Sequence, residues 1–287
     1  MPFRSRWNAY WRLMRLDKPI GTLLLLWPTL WALWLASEGH PSWDNLLVFG
    51  VGTLLMRSAG CVMNDIADRK VDPFVERTRL RPLAAAEVTL KEALGLVAVL
   101  SFASLLLVLT RNLLTLELSL PALFLAASYP LTKRFFPLPQ AYLGIAFGFG
   151  IPMAFAATLG QVPGLAWILM LANVAWTIAY DTEYAMVDRE DDRLLGIHSS
   201  ALLFEHWDVP IIMLCYGISL GLLFWVGQKA GLGNFYYIGL TGAACIAIYH
   251  YGLIRQRHRD ACFRAFLHNN WVGASIFSGL FLDYFMR

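Results

Sequence analysis

Charged residues are scarce in this chain. Asp, Glu, Lys and Arg make up 15% of its 287 residues, and hydrophobic types make up 58%. A soluble domain averages roughly a quarter charged and half apolar. The deficit excludes an ordinary soluble globule and gives the balance of a polytopic membrane protein. Cysteine is sparse too. Cys61, Cys215, Cys245 and Cys262 form no C-x-x-C pair, so free thiols in apolar surroundings are expected rather than metal ligands. The six histidines show no H-x-x-x-H spacing, which leaves zinc chemistry without a ligand set. A net charge of +3 without a basic tail gives no footprint for nucleic acid. No persuasive small-residue cleavage site follows the first apolar run, so that run reads as a retained helix and not a signal peptide. No long polar linker divides the chain, and one domain over residues 1–287 is expected.

What the chain has in abundance is long apolar runs. They lie at about Ile20–Ala36, Leu46–Met63, Ala93–Thr110, Leu114–Leu131, Ala141–Leu159, Pro163–Ala179, Pro210–Val226, Phe235–Leu253 and His268–Tyr284. Each is near the length that crosses ~30 Å of hydrocarbon, and backbone groups in lipid are satisfied within helices. The expected fold is therefore all-α: a bundle of about nine transmembrane helices. Residues 1–18 place Arg4, Arg6, Arg12, Arg15 and Lys18 among Trp7, Tyr10 and Trp11, as in an amphipathic segment on the bilayer surface. With the N-terminus in the cytoplasm, all of the 23 basic residues fall on the cytoplasmic side except Arg57, Arg111, Lys229 and Arg287. Arg57 lies inside a span. The asymmetry sets the orientation.

Two acidic clusters interrupt this pattern, each closing an apolar run on the expected cytoplasmic side. In Asn64-Asp65-Ile66-Ala67-Asp68-Arg69-Lys70-Val71-Asp72, Asn64, Asp68 and Asp72 repeat every four residues and share one face of a continuing helix. Asp65 points off that face. In Tyr180–Asp192, Asp188 and Asp192 repeat the spacing, and Asp181, seven before Asp188, joins them if the helix is continuous. Hard oxygen ligands of this kind suit Mg²⁺ shared with phosphate oxygens, and nearby Arg and Lys add to the grip on phosphate. The expected metal ligands are Asn64, Asp68, Asp72, Asp188 and Asp192, with Asp181 and Asp191 close behind. Arg77, Arg79 and Lys133 are candidate diphosphate contacts. Tyr129, Tyr180 and Tyr184 stand out among the aromatics because they flank the charged motifs. The loops between spans two and three and between six and seven are the longest, and are expected to cap the site. Two similar half-bundles, each contributing one motif, make a weak internal repeat plausible.

The motif N-D-x-x-D-x-x-x-D at Asn64–Asp72 resembles the first signature of the UbiA-type intramembrane aromatic prenyltransferases. Tyr180–Asp192 is similar to their second. Arg15-Leu16-Asp17-Lys18-Pro19-Ile20-Gly21, Arg77-Thr78-Arg79-Leu80-Arg81-Pro82-Leu83 and Gly196-Ile197-His198-Ser199 resemble the branch that prenylates 4-hydroxybenzoate. Ala84-Ala85-Ala86 departs from the Pro, Ser or Gly expected in the family, and no side-chain chemistry is lost there. The resemblance implies transfer of a polyprenyl group from polyprenyl diphosphate to the ring carbon ortho to the hydroxyl of 4-hydroxybenzoate, in ubiquinone synthesis. It implies Mg²⁺ as cofactor, and Asp68, Asp72, Asp188, Asp191 and Asp192 as catalytic groups. Arg57 lies seven residues before Asn64 and eleven before Asp68, on the same helical face and deeper in the bilayer. It becomes the first candidate for the acceptor carboxylate, and Arg134 the second. Asp188, Asp191 or diphosphate itself would take the ring proton. Related enzymes with other aromatic acceptors share the acidic motifs. A divalent-cation transporter is the alternative of another class, but it calls for polar groups along both mouths, and the acidic clusters crowd one side. The short N-terminal segment lacks a transit-peptide composition, which favours a bacterial inner membrane.

Overall fold

The computed structural model describes residues 3–75 and 78–287. Their regular structure is entirely helical. Helix α1 (Phe3–Leu13) precedes α2 (Ile20–Ala36) and α3 (Trp43–Asp68). Next come α4 (Leu90–Val108), α5 (Leu113–Thr132), α6 (Pro139–Gly148), α7 (Gly150–Leu159) and α8 (Gly164–Ala185). The short α9 (Arg189–Leu195) and α10 (Ser200–Phe204) lead into α11 (Asp208–Lys229), α12 (Asn234–Ile254) and α13 (Arg259–Phe285). Seven segments among the described residues are long and apolar enough to cross a membrane, with α6 and α7 counted as one and α10 joined to α11. α2 is apolar but shorter, at 17 residues. α13 has the length, at 27 residues, but carries Arg264, His268, Asn269 and Asn270. Each of the nine expected runs coincides with one of these helices or with the α6–α7 pair. The chain is a multi-pass membrane protein.

Local chemistry sets the helix ends. The Ser42 hydroxyl accepts the Asn45 N–H at the start of α3. Thr89 and Glu92 form a reciprocal capping box on α4, and Asn112 caps α5 through the Thr115 N–H at 2.9 Å. Each satisfies donors that a helix start leaves unpaired. The fifth run divides into α6 and α7 at Phe149. Pro152 has no N–H to return to the Gly148 carbonyl four residues earlier, which weakens the ladder at that point.

The core lies among α2, α7, α8, α11, α12 and α13, where Trp31, Trp176, Tyr180 and Tyr216 are buried. A second cluster unites Ala9 and Leu13 of α1 with Val62 and Ile66 of α3, Val88, and Ala93 of α4. The N-terminal segment is thus fixed to the bundle by its apolar face, and its polar face is fixed too. Arg12 pairs with Glu87, and both Arg6 and Tyr10 bond the Glu92 carboxylate, at 2.7 and 2.9 Å. Cys61, Cys215 and Cys262 are buried free thiols, whereas Cys245 is exposed.

Candidate active site

α3 runs out at Asp68, and Asp72 does not continue it. Pro73 has no N–H to return to the Arg69 carbonyl four residues earlier, so the α-helical ladder cannot run through it, and Asp72 instead opens a 3₁₀ turn, Asp72–Phe74. The second motif breaks in the same way: α8 ends at Ala185, and Asp188 stands at the head of α9. Neither triad therefore occupies one face of a continuous helix, contrary to the spacing argument. The turns deliver the same groups to one place. Asn64, Asp68, Asp72, Asp181, Asp188 and Asp192 all line a single polar cleft of about 150 Å³, together with Lys133, Arg81 and Gln140. Both long interhelical loops wall it, through Val71, Val75 and Thr78 on one side and Ile197, His198 and Ser199 on the other. The His198 N–H donates to the Lys133 carbonyl at 2.9 Å, and the Ser200 N–H donates to Gln140 Oε1 at 3.0 Å. The second loop is so tied to the ends of α5 and α6.

The cleft adjoins a much larger cavity of about 1670 Å³. Asn64, Arg81, Tyr129, Asp181 and Tyr184 belong to the walls of both. Beyond that junction the wall is largely apolar, with Leu24, Phe49, Met56, Leu105, Leu123, Phe147 and Met153 among its residues. Tyr184 is steadied at the junction by Phe266, with ring centroids 4.6 Å apart.

Arg57 projects into this large cavity. One of its terminal nitrogens contacts Cys61 Sγ, while its Nε is buried with no hydrogen-bond partner. Gly21 makes room for it: a Cβ there would lie 2.8 Å from Arg57 Nε and 3.0 Å from Cζ. That contact gives a physical reason for the glycine that ends the Lys18-Pro19-Ile20-Gly21 stretch.

Other expected residues lie elsewhere. Asp191 lines neither cavity and bonds Arg259 at 3.0 Å. Arg134 is exposed and donates to the Ala67 carbonyl at 2.7 Å, outside the cleft. Arg79 is exposed and also lines neither cavity. Arg77 lies outside the described residues. Asp65 does not line the cleft but lies in the wall of the large cavity, nearly fully buried and paired with Arg15 at 2.8 Å and with Arg81 at 3.1 Å.

With the geometry in place, residues 25–272 match the sequence profile of the UbiA prenyltransferase family. The chain belongs to that family. It is 62% identical to a 4-hydroxybenzoate octaprenyltransferase of Azoarcus sp. (strain BH72) over 284 residues, 99% of each chain. It is 63% identical to a protein of the same name from Methylobacillus flagellatus, over 98% of this chain and 96% of that one. Among solved structures it resembles an apo UbiA homolog from Aeropyrum pernix K1, with a TM-score of 0.80 and 26% identity over 91% of this chain and 97% of that one. It shares its fold with a UbiA homolog from Archaeoglobus fulgidus bound to GPP and Mg²⁺, with a TM-score of 0.69 and 16% identity over 95% of this chain and 99% of that one.

In this UbiA-family cleft the carboxylates already have cationic partners. Asp68 pairs with Lys133. Asp72 takes Arg81 through both oxygens, at 2.9 and 3.1 Å. Burial raises the Asp72 carboxyl above the ordinary aspartate range, and the Arg81 guanidinium offsets only part of that rise. As the side chains stand, no three acidic or histidine groups among the described residues converge tightly enough to hold one ion. The donor set nonetheless fits a hard cation shared with diphosphate, since it consists of carboxylate and amide oxygens from two motifs facing one another. Arg81 and Gln140 are among the cleft residues to which sequence reasoning assigned no contact. Arg81 had its signal in the Arg77–Leu83 stretch. Gln140 had none, because a glutamine at a helix start carries no motif.

Proposed function

We propose that this UbiA-family protein is a Mg²⁺-dependent 4-hydroxybenzoate polyprenyltransferase of ubiquinone synthesis. The observation that carries the reading is the junction itself, where a polar cleft lined by both acidic motifs shares its wall with a largely apolar cavity that Arg57 also lines. Diphosphate belongs in the cleft, where Asn64, Asp68, Asp72, Asp188 and Asp192 would hold Mg²⁺ and Lys133 and Arg81 are placed to meet phosphate oxygens. Bound Mg²⁺ would neutralise the charge that builds on the leaving group. The prenyl chain belongs in the large cavity, whose apolar wall keeps water from the allylic cation formed as the C–O bond breaks. The acceptor lies between them. Arg57, in the wall of the large cavity, offers its guanidinium to the benzoate carboxylate, and the ring carbon ortho to the hydroxyl forms the new C–C bond. Asp181, in the wall of both cavities, is best placed to take the ring proton, ahead of Asp188. The high identity to full-length proteins named for this acceptor supports the assignment. The positive-inside asymmetry supports an orientation with the N-terminus and the cleft facing the cytoplasm, and the bacterial sources of the similar proteins fit an inner membrane.

A reaction with purified protein, a prenyl diphosphate, 4-hydroxybenzoate and Mg²⁺ tests this. Prenylated 4-hydroxybenzoate is expected, lost with EDTA and reduced at least a hundredfold in Asp68→Asn, which also strands Lys133. Diphosphate release without that product would retain the ionisation chemistry and refute the acceptor.

A further inference from the structure

The second acidic motif has little helix to stand on. α8 has ended before Asp188, and α9 is seven residues long with none of them buried. The support comes from behind, at a place neither cavity reaches. Asp208, the first residue of α11, is fully buried. It pairs with Arg189, the neighbour of Asp188, and with Arg257 from the loop between α12 and α13, whose Nη2 lies 2.7 Å and Nε 3.0 Å from Oδ1. Arg257 also donates to the His206 carbonyl at 2.8 Å. Its backbone is left-handed, at φ 58°, a strained conformation for an L-residue. Two residues on, Arg259 donates to the Val187 carbonyl at 2.7 Å.

The first motif is supported in the same manner. Asp65, nearly fully buried, joins Arg15 and Arg81, and Arg81 grips Asp72 in turn. Arg15, like Arg257, is left-handed, at φ 57°. In both halves a buried carboxylate outside the cleft therefore collects one arginine from the motif's own loop and one from a strained connection beyond it, although Asp65, Arg15 and Arg81 also line the large cavity, which Asp208 and its partners do not reach. Burying such charges is expensive, and backbone strain persists where surrounding structure over-determines it. Paying both costs twice, at matching places, suits a shared task.

We propose that Asp208 and Arg257 are positioning residues that hold Asp188 and Asp192 in the cleft at the register needed to bind the cation, as Asp65 and Arg15 do for Asp72 through Arg81. This rests on the metal–diphosphate reading of the cleft. The test uses the full chain in detergent, with thermal unfolding followed as Mg²⁺ is titrated at fixed inorganic diphosphate. Asp208→Asn and Arg257→Gln are each expected to raise the Mg²⁺ concentration for half-maximal protection at least tenfold. The double variant should raise it by less than the product of the two single effects, because both remove the shared Asp208–Arg257 pair. Arg257→Lys, which keeps the charge and loses the fork, should fall in between, and it carries the comparison if Asp208→Asn does not fold. An unchanged Mg²⁺ midpoint in variants whose metal-free Tm has dropped would overturn the proposal, since the brace would then serve stability alone. A wild-type Tm indifferent to Mg²⁺ and diphosphate together would instead overturn the metal reading of the cleft and the brace with it.

Discussion

At the residue scale, Arg57 and Gly21 act as a pair. Arg57 was singled out in the sequence because an arginine inside a span is functional by default. What could not be read there is that its space is cut by a residue on another helix, because an α2–α3 contact leaves no trace in local spacing. Arg57→Gln should raise KM for 4-hydroxybenzoate roughly ten- to a hundredfold, the worth of a charge-assisted hydrogen bond of about 1.5–3 kcal/mol, with KM for prenyl diphosphate little changed. Gly21→Ala should act in the same direction by displacing the guanidinium. Steady-state kinetics with each substrate varied in turn checks both. Ala86 makes a second case. Its side chain has no chemistry to lose, yet its backbone is left-handed, at φ 56°, in the turn that brings Glu87 to Arg12 and Val88 into the cluster under α1. Ala86→Gly should relieve the Cβ clash and stabilise the protein by about 0.5–1 kcal/mol, seen as a higher Tm in detergent with unchanged turnover.

At the element scale, α12 and α13 approach through glycine. A Cβ on Gly239 would lie 2.6 Å from the Ser275 carbonyl oxygen and 2.9 Å from Gly279 Cα, which are backbone atoms that cannot rotate aside. Small residues let membrane helices pack this closely. Gly239→Val should force the pair apart and cost about 1–3 kcal/mol, measured as a lower Tm of the solubilised protein. The existence of these helices was legible from hydropathy and length. The breaks at Asp68 and Ala185 were not inferred. Pro73 was in plain view in the first case, but the i, i+4 spacing of the carboxylates argued for a helix running past it. The result for the site was the same, because a turn that reverses into the cleft can present the side chains a longer helix would have stacked.

At the scale of the whole molecule, two long loops and the ends of α3, α5, α6 and α8 enclose the polar cleft, and the bundle behind it leaves the apolar cavity unfilled. The carboxylates of the larger cavity outside the junction are Asp17, Asp65 and Asp260, which sit just before α2, near the end of α3 and at the start of α13, and this clustering at one set of helix ends favours a reaction chamber over an ion path through the bilayer. Gly52 lines the cavity, with no atom within 4 Å of where a Cβ would stand. Gly52→Trp should occupy part of the chamber and lower kcat/KM for long polyprenyl diphosphates at least tenfold, with short donors retained. Product chain lengths from a mixture of donors measure the shift.

By itself the sequence determined the membrane class, the helical bundle, the asymmetry of basic charge and the two acidic motifs, because lipid imposes length and hydropathy on each span separately and oxygen-rich clusters are conspicuous against that background. Tertiary structure alone decided which charges face the cleft. Asp191, Arg134 and Arg79 carry the right chemistry at plausible positions, yet each lies outside the cleft, and two are bound elsewhere. Asp208 and Arg257 belong to no motif, yet meet behind the second one. Such pairings join residues distant in the chain, and their geometry is fixed only when the helices that carry them have packed.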